Sequence, residues 1–250
     1  GIIMLKVVVF DGGWGGAIIS SYLQRELQVL EVMRVIDWKN APYEDKSLTQ
    51  VCQFSDACLQ QYINKVDLII LGGYTVSAAL GFLQNKYPQQ KFIGVDVNYH
   101  RILKSTTYPE RITVFMNKSL QKTDFCENLR RNLPQSVLTI PDCSGWEELA
   151  NQGELSEEVL RAELETYFEV KRKIKQKSLL EEFKQEQPQE EKKLIQSDVV
   201  LILNTNLWDN KEDFEEIFGY KVRVLDFRET LLRDTCEALH LLGVDGKRKK

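Results

Sequence analysis

Phe10-Asp11-Gly12-Gly13-Trp14-Gly15-Gly16 decides the reading of this chain. It follows the apolar run Val7-Val8-Val9 and precedes a segment, residues 17–30, with helical spacing. A carboxylate at the end of a first strand, then glycines, then a helix start makes a binding turn. Glycine lets backbone approach a ligand closely, and a helix N-terminus supplies free N–H donors and partial positive charge. Such a turn suits a small anion, a carboxylate or a phosphate. Asp is also a good helix N-cap, so Asp11 has a structural reading beside the functional one.

Outward from this turn, apolar strands alternate with amphipathic helices. Residues 31–36 form a second strand ending at Asp37, residues 48–64 a helix, and 66–71 a strand ending in Gly72-Gly73. A helix to about Lys86 and a strand over 91–97 follow. This alternation predicts a parallel sheet flanked by helices. A second α/β series follows, with strands at 111–115, 136–140, 199–203 and 221–225 and helices at 123–132, 146–151, 211–217 and 228–242. The loop over 204–210 follows its strand as 72–77 follows the third. Ligands of open parallel sheets sit at the carboxyl ends of strands, so the two loops and the Asp11 turn are expected to face one cleft. The fold class is therefore α/β: two pseudo-symmetric, three-layer domains with parallel sheets and a ligand cleft between them. The first domain is assigned 1–97 plus 208–250, and the second 98–207.

Composition narrows the function classes. With 43% apolar and 28% charged residues and a net charge of −4, the chain reads as an ordinary soluble protein without the basic field that nucleic acid demands. The basic end, Lys247 to Lys250, reads as a solvated tail. No run approaches the roughly 18 apolar residues of a membrane span, and residues 1–9 read as a first strand and not as a signal peptide. Five scattered cysteines without a CxxC pair, and only two histidines, indicate free thiols in a cytoplasmic, reducing setting, with no metal site. Residues 154–187 form a long charged helical stretch, broken near Pro188, that reads as a solvated face or a partner-binding surface.

The order of motifs resembles the glutamate racemases and, more broadly, the aspartate/glutamate racemase superfamily. The family opens with F/I-D-S-G-x-G-G, here Phe10 to Gly16. Its Asp and Pro-Tyr-Gly turn correspond to Asp37 and Pro42-Tyr43-Glu44. Its A-C-N-T-A-S is read as Gly72-Gly73-Tyr74-Thr75-Val76-Ser77, and its I-P-V-I-G-V as Phe92 to Val95. A Cys-Pro segment leading to V-E-x-G fits Cys143 through Gly153, and L-G-C-T-H-Y-P falls on Leu203 through Asp209.

The departures bear on chemistry. In the family, two cysteines on opposite sides of the substrate act as acid and base, one removing the α-proton and the other delivering a proton to the opposite face. By this correspondence the first cysteine is Gly73 and the second Thr205. Glycine carries no acid–base group, and a threonine hydroxyl is a far weaker acid than a thiol and needs an adjacent base. The family's histidine falls on Leu207, its substrate-contacting serine on Gly12 and its asparagine on Tyr74. The resemblance thus implies a fold whose two-thiol racemisation is unavailable, without cofactor. The catalytic positions are degenerate at Asp11, Gly73 and Thr205. The expected ligand contacts are Asp11, Gly12, Gly13, Pro42, Tyr43, Gly73, Tyr74, Thr75, Thr205 and Asn206, for a small carboxylate or amino acid. Family members often dimerise, so a homodimer is an expectation too. The competing readings are an isomerase or lyase of altered chemistry using Asp11, Tyr74 or Thr205, and an interaction scaffold using the charged stretch. A decarboxylase-type mechanism of the superfamily still needs one of the two cysteines.

Overall fold

A computed structural model describes residues 3–103, 111–167 and 197–241. The charged stretch is described to residue 167; its remainder, the segment around Pro188 and the basic C-terminus lie outside the described residues.

The chain divides into two units. The first holds β1 (Leu5–Asp11), α1 (Trp14–Glu26), β2 (Leu30–Ile36), α2 (Leu48–Leu59), β3 (Leu68–Leu71), α3 (Tyr74–Ser77), α4 (Leu80–Lys86), β4 (Phe92–Gly94) and α5 (Tyr99–Leu103). Its parallel sheet has the order β2-β1-β3-β4. β1 lies in the interior of that sheet, which is why Val7, Val8, Val9 and Phe10 are all fully buried rather than alternating with polar residues. β3 is buried throughout for the same reason. Ser47 caps α2 with a complete capping box: its hydroxyl accepts from the Gln50 N–H, and the Gln50 side chain accepts from the Ser47 N–H.

The second unit holds β5 (Arg111–Phe115), α7 (Phe125–Asn132), β6 (Val137–Thr139), α8 (Trp146–Asn151), a helix α9 over 157–167, β7 (Val199–Ile202), α10 (Lys211–Phe218) and β8 (Arg223–Asp226). Its sheet runs β6-β5-β7-β8. Numbered from its own first strand, each sheet therefore has the order 2-1-3-4, and the expected internal likeness of the two halves is realised in strand order. The helix α6 (Lys118–Gln121) and the closing helix α11 (Arg228–Ala238) belong to the first unit.

The boundaries differ from the sequence division in three places. Residues 98–103 stay with the first unit, where Arg101 of α5 bridges Asp96 and Asp234 at 2.6 Å each. Lys118–Asp124, inside the expected second domain, also joins the first unit, with α6 packed on α3. The return comes at Asp226 and not at 208, because β8 completes the second sheet.

The helix expected to about Lys86 and the strand expected over 91–97 are both shorter than their patterns suggest, and one hydroxyl sits at both breaks. The helix expected from Gly73 to Lys86 splits after Ser77, where Ala78 and Ala79 take the tighter bonds to Thr75 and Val76 carbonyls. There Ser77 Oγ donates to the Gly73 carbonyl at 2.6 Å and accepts from the Val95 N–H at 2.9 Å. The Val95 N–H is thereby diverted from the ladder, and β4 stops at Gly94. The loop expected over 204–210 is a 3-10 helix, Thr205–Asn210, capped by Asn204.

Candidate functional site

Parallel pairing brings three sequence motifs to one edge of the first sheet. Phe10 stands level with Val35 on β2 and with Leu71 on β3, so all three strands end side by side. The Gly72 N–H donates to the Phe10 carbonyl at 2.7 Å, and the Asp37 N–H to the Asp11 carbonyl at 3.1 Å. Asp11, Asp37 and Gly72-Gly73 therefore meet at the carboxyl ends of the strands, where open α/β sheets bind ligands.

The Asp11 carboxylate is buried and turned back on the following turn. One oxygen accepts from the Gly12 N–H at 2.7 Å, the other from the Gly16 N–H at 2.8 Å in the first turn of α1. Asp11 is not the N-cap, which is Gly13, but its carboxylate satisfies one of the free N–H groups of the first turn. Burial pushes its pKa up to about 7, against the pull of the two N–H groups, and nearby Glu44 adds to the rise. A carboxyl tuned there can hold or release a proton near neutrality.

Glycine at 73 is needed for this arrangement. A Cβ built there would stand 2.9 Å from Asp11 Oδ1 and 3.2 Å from its carboxyl carbon. The Asp11 carboxylate thus lies against the space that a side chain at 73 would need. Gly12 is constrained in the same way: a Cβ there would fall 2.2 Å from Tyr43 Cγ, inside the ring's van der Waals envelope. A serine side chain here has no room while Tyr43 keeps its place. Gly13, the N-cap of α1, is under no such demand, since a Cβ there meets nothing within 4 Å.

Tyr43 belongs to the core. It is 2% exposed, packs edge-on to Phe10, and donates its hydroxyl to Asp37 Oδ2 at 2.7 Å. Asn40 donates to the same carboxylate. Burial and the Asp37 charge hold the Tyr43 phenol well above its usual range. Burial first, and Asp37 second, push the Cys58 thiol up to about 11, which makes it a poor nucleophile. Pro42, joined to Ala41 by a cis bond, is exposed and leads into the 3-10 turn Tyr43–Asp45. Trp14 stands out of the glycine turn, 57% exposed, against the equally open Trp38, with ring centroids 4.9 Å apart.

Tyr74 and Thr75 are half-buried and line a cavity of about 550 Å3 that lies wholly within the first unit. Leu48, Val51 and Val95 give it apolar walls. Glu44, Lys46, Lys122 and Asp124 bring charge to it. Sequence reasoning missed the last four as site residues. Glu44 and Lys46 follow directly on Pro42-Tyr43, a usable signal. Lys122 and Asp124 arrive from a segment that sequence placed in the other domain.

In the second unit, Thr205 and Asn206 are half-buried on the 3-10 helix after β7. Asn204 is fully buried, accepts from the Asn206 N–H at 3.0 Å, and donates to Glu147 Oε1 at 2.9 Å. Leu207 and Trp208 are buried beside it. Asn206 Oδ1 is buried without a hydrogen-bond partner among the described residues. Cys143 is buried, donates to the Met116 carbonyl, and is pushed up to about 12, chiefly by burial, which makes it an inert thiol. Among the described residues, no three His, Cys, Asp or Glu side chains gather as a metal ion would require. No described helix is long and apolar enough to cross a membrane.

No family model matches the chain. Over 105 residues it is 30% identical to the glutamate racemase of Sulfurovum sp. (strain NBC37-1), a stretch that spans 41% of this chain and 40% of that relative. The chain thus aligns with well under half of that relative's length. The crystal structure of Escherichia coli glutamate racemase, in complex with L-glutamate and the activator UDP-MurNAc-Ala, superposes with a TM-score of 0.68 at 17% identity. That match covers 99% of this chain and 86% of the other. Glutamate racemase from Campylobacter jejuni subsp. jejuni gives 0.65 at 18% identity, over 93% and 85% of the two chains. The likeness in sequence over 105 residues and the likeness in fold over nearly the whole chain point the same way: this chain has the glutamate racemase fold and resembles glutamate racemase in sequence.

Proposed function

We propose that this protein binds a small carboxylate or amino acid in the racemase fold and does not racemise it by the two-thiol route. The observation that carries the reading is the contact between Asp11 and Gly73. The carboxylate, held by two N–H bonds, lies 2.9 Å from where a Cβ at 73 would stand. The position that corresponds to the family's first cysteine thus has no thiol, and a side chain there would have to push the Asp11 carboxylate aside. Thr205, at the second, has a hydroxyl with no base bonded to it among the described residues. The cavity lined by Tyr74 and Thr75 supplies a place for a ligand, and the L-glutamate complex of the Escherichia coli homologue puts amino acids first among candidates. Five free cysteines suit a cytoplasmic, reducing setting.

The test has two parts. Calorimetry with D- and L-amino acids and simple carboxylates should find at least one ligand. Incubation of each with the protein in deuterated water should leave the α-proton unexchanged. Binding without exchange supports the reading, and absence of binding across the panel removes it.

A second reading rests on the Asp11 carboxyl, poised near neutrality. It would make Asp11 a single acid–base group in an isomerase or lyase of altered chemistry. Exchange of one enantiomer's α-proton, abolished in Asp11→Asn, would favour this reading over the first.

A further inference from the structure

We infer that the cavity beside Tyr74 takes a zwitterionic α-amino acid with an apolar or aromatic side chain, a class more specific than the binding reading on which this inference rests. At about 550 Å3 it falls within the range of small-molecule sites, roughly 300–1,000 Å3. Its charged lining is balanced, with Lys46 and Lys122 against Glu44 and Asp124. None of the four is in an ion pair among the described residues.

A bare carboxylate would answer the lysines and leave both acids facing it, and an amine would do the reverse. A zwitterion answers both. The Thr75 hydroxyl, which has no hydrogen-bond partner among the described residues, adds a neutral donor and acceptor. Most of the remaining wall is apolar: Val51, Val95, Ala78, the Tyr74 ring and Leu48, the last left 59% exposed; Ser77 and Thr123 complete it, and both hydroxyls are already hydrogen-bonded to backbone carbonyls. Apolar side-chain surface on the ligand would cover this wall favourably. A second carboxylate on the ligand would instead be desolvated against it.

The experiment is calorimetry on the full chain with both enantiomers of leucine, methionine and phenylalanine, with glutamate and aspartate, and with 3-phenylpropionate and phenethylamine. The last two each keep the apolar body and lack one charged group. Phenylalanine or leucine should bind at least tenfold more tightly than glutamate and than either single-charge analogue. Ala78→Trp, an exposed substitution on the cavity wall, should abolish that binding, and Lys122→Glu should weaken it at least tenfold. Both variants should melt within a few degrees of the parent.

Tighter binding of glutamate, or equal binding of 3-phenylpropionate, overturns this inference and leaves the broader binding reading standing. Phenylalanine binding indifferent to both variants also overturns it, by placing the ligand elsewhere. If no carboxylate or amino acid binds, both readings fall together.

Discussion

The two loops that follow buried strands in the two sheets, residues 72–77 after β3 and 203–209 after β7, are built in opposite ways. The first starts without side chains. Gly72 and Gly73 leave room for Val9 and Asp11, while Tyr74 and Thr75 stay half-open beside a cavity. The second has filled itself, with Asn204, Leu207 and Trp208 buried in its own unit. In the first loop a neighbouring carboxylate occupies the space beside Gly73; in the second the loop's own side chains fill the space. The first should therefore respond to charge and to added volume, the second to truncation.

The largest expected effect tests the plug over the first loop's neighbour. Tyr43→Ala removes a buried ring and the hydroxyl bonded to Asp37, and should lower stability by about 3–5 kcal/mol in urea unfolding. Gly12→Ser should be destabilising in the parent and markedly less so in the Tyr43→Ala background. Simple additivity between the two would break the steric account.

Asp11 is expected next. It binds its proton more tightly folded than unfolded, so the folded state holds the excess proton between about pH 4 and pH 7. Stability should fall as pH rises through that window, by on the order of 4 kcal/mol in all. Carboxyl NMR should find its midpoint near 7, and Asp11→Asn should lack this part of the pH slope. A midpoint near the usual aspartate value would undo the claim that burial dominates.

Gly73→Ala should cost about 1–3 kcal/mol by forcing the carboxylate aside, and should move the Asp11 midpoint as well. In the second loop, Asn204→Ala should cost about 2 kcal/mol by removing the bond to Glu147 and the acceptor of the Asn206 N–H. Thr205→Ala, at a half-buried position, should change stability by about 0.5 kcal/mol or less. Equal sensitivity at 73 and 205 would erase the contrast between the loops.

Much of this was legible in the chain itself. The unbroken apolar runs at 7–10, 68–71 and 199–202 mark strands buried on both faces, and the glycines after Asp11 and Leu71 mark the turns. What escaped depends on contacts between distant residues. Nothing in Pro42-Tyr43 says that the ring will lie on Gly12, thirty-one positions earlier. The four-residue β8 would look the same in either sheet, so the return point at Asp226 was hidden. Residues 118–124 read as part of the second series, and only their packing on α3 brings Lys122 to the cavity.

The contact between Asp11 and Gly73 also makes the two positions a coupled pair. With the carboxylate settled over a glycine, a single substitution that adds a side chain at 73 meets an obstruction supplied by a different residue. Changes at 11 and 73 are therefore expected to be non-additive. A side chain at 73 is best introduced together with a smaller residue at 11, and a design that treats either position alone will misjudge the other.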